Sequence, residues 1–150
     1  MEISELAEYM YARIPLSRAM QVTILEANAE RVKLAAPLAP NINHRQTVFG
    51  GSASAVALLA GWALLFLRLR HEGFEGYIVV RRNTMSYERP MPVDFTATAT
   101  IAPDSTWAQF ADALKRKGRA RVMIHVLLEC ENERTAMLEG EFVVVTPSKD

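Results

Sequence analysis

The stretch that most limits what this chain can fold into runs from Asn41 to Arg70, NINHRQTVFGGSASAVALLAGWALLFLRLR. Between Arg45 and Arg68 it carries no charge, and its apolar side chains point in every direction of a helical wheel. A helix apolar all round must be covered on all sides, by lipid or by other protein. Gly50-Gly51, followed by Ser52 and Ser54, marks its start. Arg68 and Arg70 suit the negative end of a helix dipole and mark its end, with Gly73 as the stop. The unbroken apolar part, Val56 to Leu67, is shorter than the roughly 20 residues a membrane span needs. A buried helix in a soluble domain is therefore expected, not a span. Ala53, Ala57, Ala60, Gly61 and Leu64 fall close to one face and are mostly small enough for a sheet to come near. The expectation is a central helix with a curved sheet wrapped around it.

A chain of 150 residues can build a proper core, and one domain over residues 1–150 is expected. Lys plus Arg and Asp plus Glu are both 17, so the formal net charge is zero. That balance argues against a general nucleic-acid binder, and near-neutral proteins are inclined to self-associate. The lone cysteine, Cys130, allows no intramolecular disulfide and fits a reducing, cytoplasmic compartment. It lies in an apolar strand and reads as a core thiol. The first ten residues carry Glu2, Glu5 and Glu8 and no basic run, unlike a signal peptide.

Ser4 is the expected cap of a short helix whose apolar side is Leu6, Tyr9, Met10 and Ile14, ending before Pro15. Met20, Val22 and Ile24 then alternate with Gln21 and Thr23, the period of a strand. After a turn at Asn28 to Glu30, Val32, Leu34 and Ala36 continue the alternation, so the two strands read as a hairpin. Pro37 and Pro40 lead into the central helix. Beyond it, Tyr77 to Glu88 is rich in β-branched and aromatic residues and is broken by Pro90 and Pro92. Val93 to Ile101 alternates Phe95, Ala97, Ala99 and Ile101 against Asp94, Thr96, Thr98 and Thr100, a strand with one wet face. Ser105 reads as the cap of a helix that buries Trp107, Phe110 and Leu114. Lys115, Arg116 and Lys117 fall in its last turn and Gly118 closes it. Ala120 to Cys130 and Thr135 to Val145 are long strands joined by a turn at Asn132 to Arg134. Antiparallel strands with one long helix against them make an α+β layer arrangement.

This order, and Asn43 to Gly51 (NHRQTVFGG) in particular, resembles the hotdog-fold acyl-CoA thioesterases. The segment is similar to the Asn…Gly-Thr…His-Gly-Gly stretch of the phenylacetyl-CoA type. MSYERPMPVDFTATATI and GRARVMIHVLLECENERTAMLEGEFVV are similar to that family's Arg-Pro turn region and last hairpin. Over nearly its whole length the chain resembles the thioesterase domain at the C-terminus of YiiD-type acetyltransferases. The resemblance implies an antiparallel sheet around one central helix and hydrolysis of an acyl-CoA or acyl-carrier thioester. It implies that Gly50 and Gly51 present backbone N–H groups to the thioester carbonyl and that Asn43 belongs to the loop before them, where orienting the water, helping to hold the carbonyl and simply capping the loop are its alternative roles. Phe49 stands where those enzymes often have His. The carboxylate that many carry two turns into the helix falls on Leu58.

Backbone N–H groups at a helix start, with the dipole behind them, suit the oxyanion of thioester hydrolysis. Glycine there lets an acyl carbonyl reach the main chain. The same glycines also serve tight helix–sheet packing. His44 is the local candidate for handling a water, and a solvated loop histidine is its plainer reading. Glu88 and Asp94 are the carboxylates that a second subunit would bring. His71 and His125 are poorly placed. No cofactor or metal is expected, since no Ser-His-Asp pattern, metal-ligand spacing or nucleotide P-loop occurs. Arg89, Arg119 and Arg121 are the candidate partners for the phosphates of coenzyme A or a phosphopantetheinyl carrier. An open strand edge at Tyr77 to Glu88 predicts a homodimer or a dimer of dimers with sites at its interface. Two further readings stand beside the enzyme. One is an acyl-binding module without turnover, which Leu58 favours; the other is a hydratase of the same fold.

Overall fold

The computed structural model describes residues 1–147. Two helices open the chain: α1 (Ile3–Arg13) and α2 (Pro15–Ala19). Strands β1 (Thr23–Ala27) and β2 (Val32–Ala36) come next, then the long helix α3 (Gly50–His71). Strands β3 (Tyr77–Tyr87) and β4 (Phe95–Ile101), helix α4 (Trp107–Lys117), and strands β5 (Arg119–Cys130) and β6 (Glu133–Val145) complete it. The strands form one sheet in the order β1-β2-β4-β5-β6-β3, every neighbouring pair antiparallel. The sheet wraps round α3, which touches β2, β4, β5, β6 and β3. This is the hotdog arrangement.

The small face of α3 explains how close that wrapping is. Ala53, Ala57, Ala60 and Leu64 are at most 1% exposed. A Cβ on Gly61 would sit 2.8 Å from Cζ of Phe142 and 3.4 Å from Cγ2 of Ile124, so no larger residue fits without a shift. Among the described residues α3 is the one helix long and apolar enough to cross a membrane, and 56% of its most apolar window is buried within the fold. Its coverage is incomplete, unlike the all-round burial its composition predicts. Gly51 is exposed and Ala55, Leu58, Trp62 and Phe66 are half-buried. Residues four and then three apart share one side of a helix, so these five form a single open strip. The far end of the strip is anchored by stacked rings of Tyr9, Trp62 and Phe66, with Tyr9 and Phe66 centroids 4.7 Å apart.

Three local expectations are corrected. The cap of α1 is Glu2, whose N–H donates to the Glu5 carboxylate at 2.9 Å, so Ser4 already lies inside the helix. The first strand starts at Thr23, not Met20. Met20 and Val22 are both buried, but Pro15–Ala19 is helical and Gln21 turns the chain with φ 57°. Helix α4 is capped at Thr106, while the Ser105 hydroxyl accepts the Met123 N–H at 3.3 Å. Gly118 ends α4 at φ 70°, in the left-handed region that glycine adopts without strain.

Candidate active site

The loop from Asn41 to Phe49 sets the entry into α3, and its own polar groups fix its shape. Asn41 is buried and its carboxamide donates to the carbonyls of Met20 (3.0 Å) and Pro37 (2.8 Å). The Phe49 N–H in turn donates to the Asn41 carbonyl at 2.7 Å, and Val48 N–H to the Met91 carbonyl at 2.9 Å. Asn43 is occupied in the same way. Its Oδ1 accepts N–H groups of Arg45 (2.8 Å) and Thr47 (3.1 Å), and its Nδ2 donates to Thr47 Oγ1 at 2.9 Å. The Asn43 side chain therefore shapes the turn, the loop-capping alternative of its sequence reading. His44 is exposed on the outside of that turn and its ring makes no hydrogen bond among the described residues.

The loop leaves the start of α3 uncapped. Phe49 is the N-cap residue, extended at φ −59°, ψ 132°, and supplies no side-chain hydrogen bond. The first helical N–H with an internal partner is that of Ala53, to the Phe49 carbonyl at 3.0 Å. The N–H groups of Gly50, Gly51 and Ser52 precede it, and groups at those positions have no partner within a helix. The Phe49 ring, 56% exposed, lies against Gly51. A Cβ at Gly51 would be 3.0 Å from Phe49 Cδ2 and closer still to Cε2.

Beside this helix start opens a cleft of about 260 Å³ lined by Val48, Gly50, Ala53, Tyr87, Glu88, Arg89 and Met91, among others. Tyr87 sits at the end of β3 and its hydroxyl donates to the Gly50 carbonyl at 3.0 Å. The Glu88 carboxylate is gripped by Arg134 through two bonds, 3.0 and 2.7 Å, and its side chain is 38% exposed. Glu88 thus lies in the same cleft as Gly50 within one chain, and no second subunit is needed to bring it there. Tyr87 was not singled out in the sequence. Only the β3–β6 register and the return of the loop place it on Gly50.

The other candidates separate. Arg89 lines the cleft and pairs with Glu133 at 2.5 Å. Asp94 is elsewhere, accepting the Leu38 N–H at 3.0 Å. Arg119 and Arg121 lie at the opposite end of β5, in a larger cleft of about 550 Å³ beside α4. Leu58 lines a third, apolar groove of about 270 Å³ with Ala55, Trp62, Ile78, Val80 and Phe142. That groove follows the open strip of α3 that begins at Gly51. Cys130 is buried at 5% exposure, as a core thiol is.

Comparison with known proteins bears on this geometry. A solved protein of Shewanella oneidensis titled "putative thioesterase" is 28% identical, covers 97% of each chain and superposes with a TM-score of 0.85. A Chlorobaculum tepidum protein "with unknown function" is 27% identical over 96% of this chain and 94% of its own, with a TM-score of 0.87. A Pseudomonas aeruginosa protein titled "Probable Thioesterase", 20% identical, shares the fold at a TM-score of 0.82 over 98% and 97% of the two chains. Residues 3–146 match the family described as "Putative thioesterase (yiiD_Cterm)", and the chain belongs to that family.

Proposed function

We propose that the chain hydrolyses acyl thioesters at the uncapped N-terminus of α3. The observation that carries this reading is the set of three N–H groups, at Gly50, Gly51 and Ser52, left without a capping side chain at the mouth of a cleft. The thioester carbonyl is held there, and the oxyanion that forms on water attack meets the positive end of a 22-residue helix. Glu88 is the carboxylate of that cleft. It takes the proton from the attacking water as the C–O bond forms. It returns the proton to sulfur as the C–S bond breaks, so acid and thiol leave and the carboxylate is regenerated. Arg134 holds Glu88 in place for both transfers.

The acyl chain follows the open strip of α3 into the groove at Leu58. A carboxylate at that position would oppose an apolar chain; leucine accepts it. With a 1.5 Å rise per residue, Leu58 lies roughly 10 Å along the helix from Gly51 and Trp62 roughly 16 Å. Two copies pair along β3 in this reading. It is an outer strand of eleven residues without proline, with Tyr77 69%, Val79 55% and Tyr87 58% exposed. Long unpaired edges of this kind are templates for pairing.

The alternative, an acyl-binding module without turnover, is favoured by Leu58 standing where a carboxylate stands in many relatives by resemblance. Incubation with a panel of acyl-CoA substrates and detection of free thiol decides between them. Thiol release that falls at least a hundredfold in Glu88→Gln supports hydrolysis as proposed. Calorimetric binding without thiol release would establish the module.

A further inference from the structure

The peptide unit that joins Gly50 to Gly51 is the one in the chain with glycine on both sides. Its N–H belongs to the uncapped first turn of α3, where such groups have no partner within the helix. With no Cβ on either flank, little in the unit itself resists a tilt of its plane. A fixed direction for the Gly51 N–H therefore needs a hold from outside, and the hold is on the opposite side of the same unit. The Tyr87 hydroxyl donates to the Gly50 carbonyl at 3.0 Å. A helix carbonyl has a second lone pair for such a donor beside the one its own ladder uses. The Tyr87 ring lies on Gly50, where a Cβ would be 3.4 Å from Cε1 and 3.6 Å from the hydroxyl oxygen.

Tyr87 is itself held from behind. It ends β3 opposite Ala136, and the next two N–H groups, of Glu88 and Arg89, both donate to the Thr135 carbonyl, at 2.8 and 3.0 Å. Two successive N–H groups converging on one oxygen end the alternation of the strand, so the adjacent Tyr87 and Glu88 both line the cleft. Thr135 is 2% exposed, and its hydroxyl donates to the Leu128 carbonyl at 3.1 Å. Because a peptide unit is planar and trans, its C=O and N–H point opposite ways, and fixing one aims the other. A hydrogen bond to the carbonyl also polarises the amide and makes its N–H a stronger donor. Stability gives this bond little to do. Tyr87 is 58% exposed, and water can satisfy both groups in its absence.

We infer that Tyr87 is a positioning residue whose hydroxyl, through the Gly50–Gly51 peptide, aims the Gly51 N–H at the thioester carbonyl. That role rests on the thioesterase reading for its chemistry, and one of its two tests is independent of activity. Tyr87→Phe keeps the ring on Gly50 and removes only an exposed hydroxyl, so it should melt with the parent. In NMR spectra of the ligand-free protein, the Gly51 amide resonances should move in Tyr87→Phe. Those of Arg45 and Thr47, fixed by Asn43, should stay. With the acyl-CoA that the parent turns over fastest, kcat should fall about tenfold. That is less than the roughly 10²–10³ for an oxyanion donor lost outright, because the N–H is mis-aimed and not removed. KM should stay within about twofold, since losing an interaction made only in the transition state lowers kcat and kcat/KM alike. A shifted Gly51 resonance with no hydrolysis by the parent would sink the enzymatic reading and leave the aiming of the N–H standing. Hydrolysis by the parent with an unmoved Gly51 resonance, or with unchanged kcat in Tyr87→Phe, would overturn the positioning role alone. A rise in KM at unchanged kcat would overturn it too, because the hydroxyl would then be a substrate contact.

Discussion

At Gly51 the structure and the proposed chemistry meet on one atom. A side chain there collides with the Phe49 ring, but that ring is exposed and free to swing away. Gly51→Val is therefore expected to melt within about 0.5 kcal/mol of the parent, as surface substitutions do. The swung ring and new methyls fill the approach to the N–H groups. Asn43 leads to the opposite expectation. Its carboxamide holds Arg45 and Thr47 in the turn, so Asn43→Ala should cost about 1–2 kcal/mol in thermal unfolding and lower turnover through a loosened loop. His44→Ala should change neither. The glycine pair was legible in the sequence because a helix start with no Cβ has few uses. Glu88 was legible only as a carboxylate that a second subunit would bring, and Tyr87 not at all. No spacing rule joins residue 87 to residue 50; a strand, a turn and a returning loop do.

At the scale of elements, periodicity carried most of the reading. The apolar run bounded by Gly50 and Arg70 became one helix, and alternation located β2, β4 and β5. Where α2 meets β1 the pattern misled, because buried Met20 and Val22 mimic a strand across a helical end and a left-handed Gln21. Five helical residues opened by Pro15 carry too little periodicity to register. The contact of α3 with the sheet gives a direct test. Gly61→Leu should destabilise by about 1–3 kcal/mol, since Phe142 and Ile124 already occupy the space. Thermal melting equal to the parent would place that face away from the sheet. Trp62→Ala removes one wall of the apolar groove and one ring of the Tyr9–Phe66–Trp62 stack. Its acyl-CoA profile should shift toward longer chains, which a substrate series measures.

For the whole molecule, composition foretold an apolar helix with nothing left over, whereas the chain leaves a strip of it uncovered beside an unpaired edge strand. In the proposed reading a second copy along β3 and an acyl chain along α3 cover the two. Sedimentation at micromolar concentration should find a dimer, and a stable monomer would contradict that pairing. The helix N-terminus remains the centre of the account, and thiol release from acyl-CoA by the parent and by Gly51→Val, each matched to its melting curve, tests it most directly. Turnover by the parent is expected, with a loss of at least 10²-fold in a variant that melts with it. Equal turnover by the two proteins would contradict it.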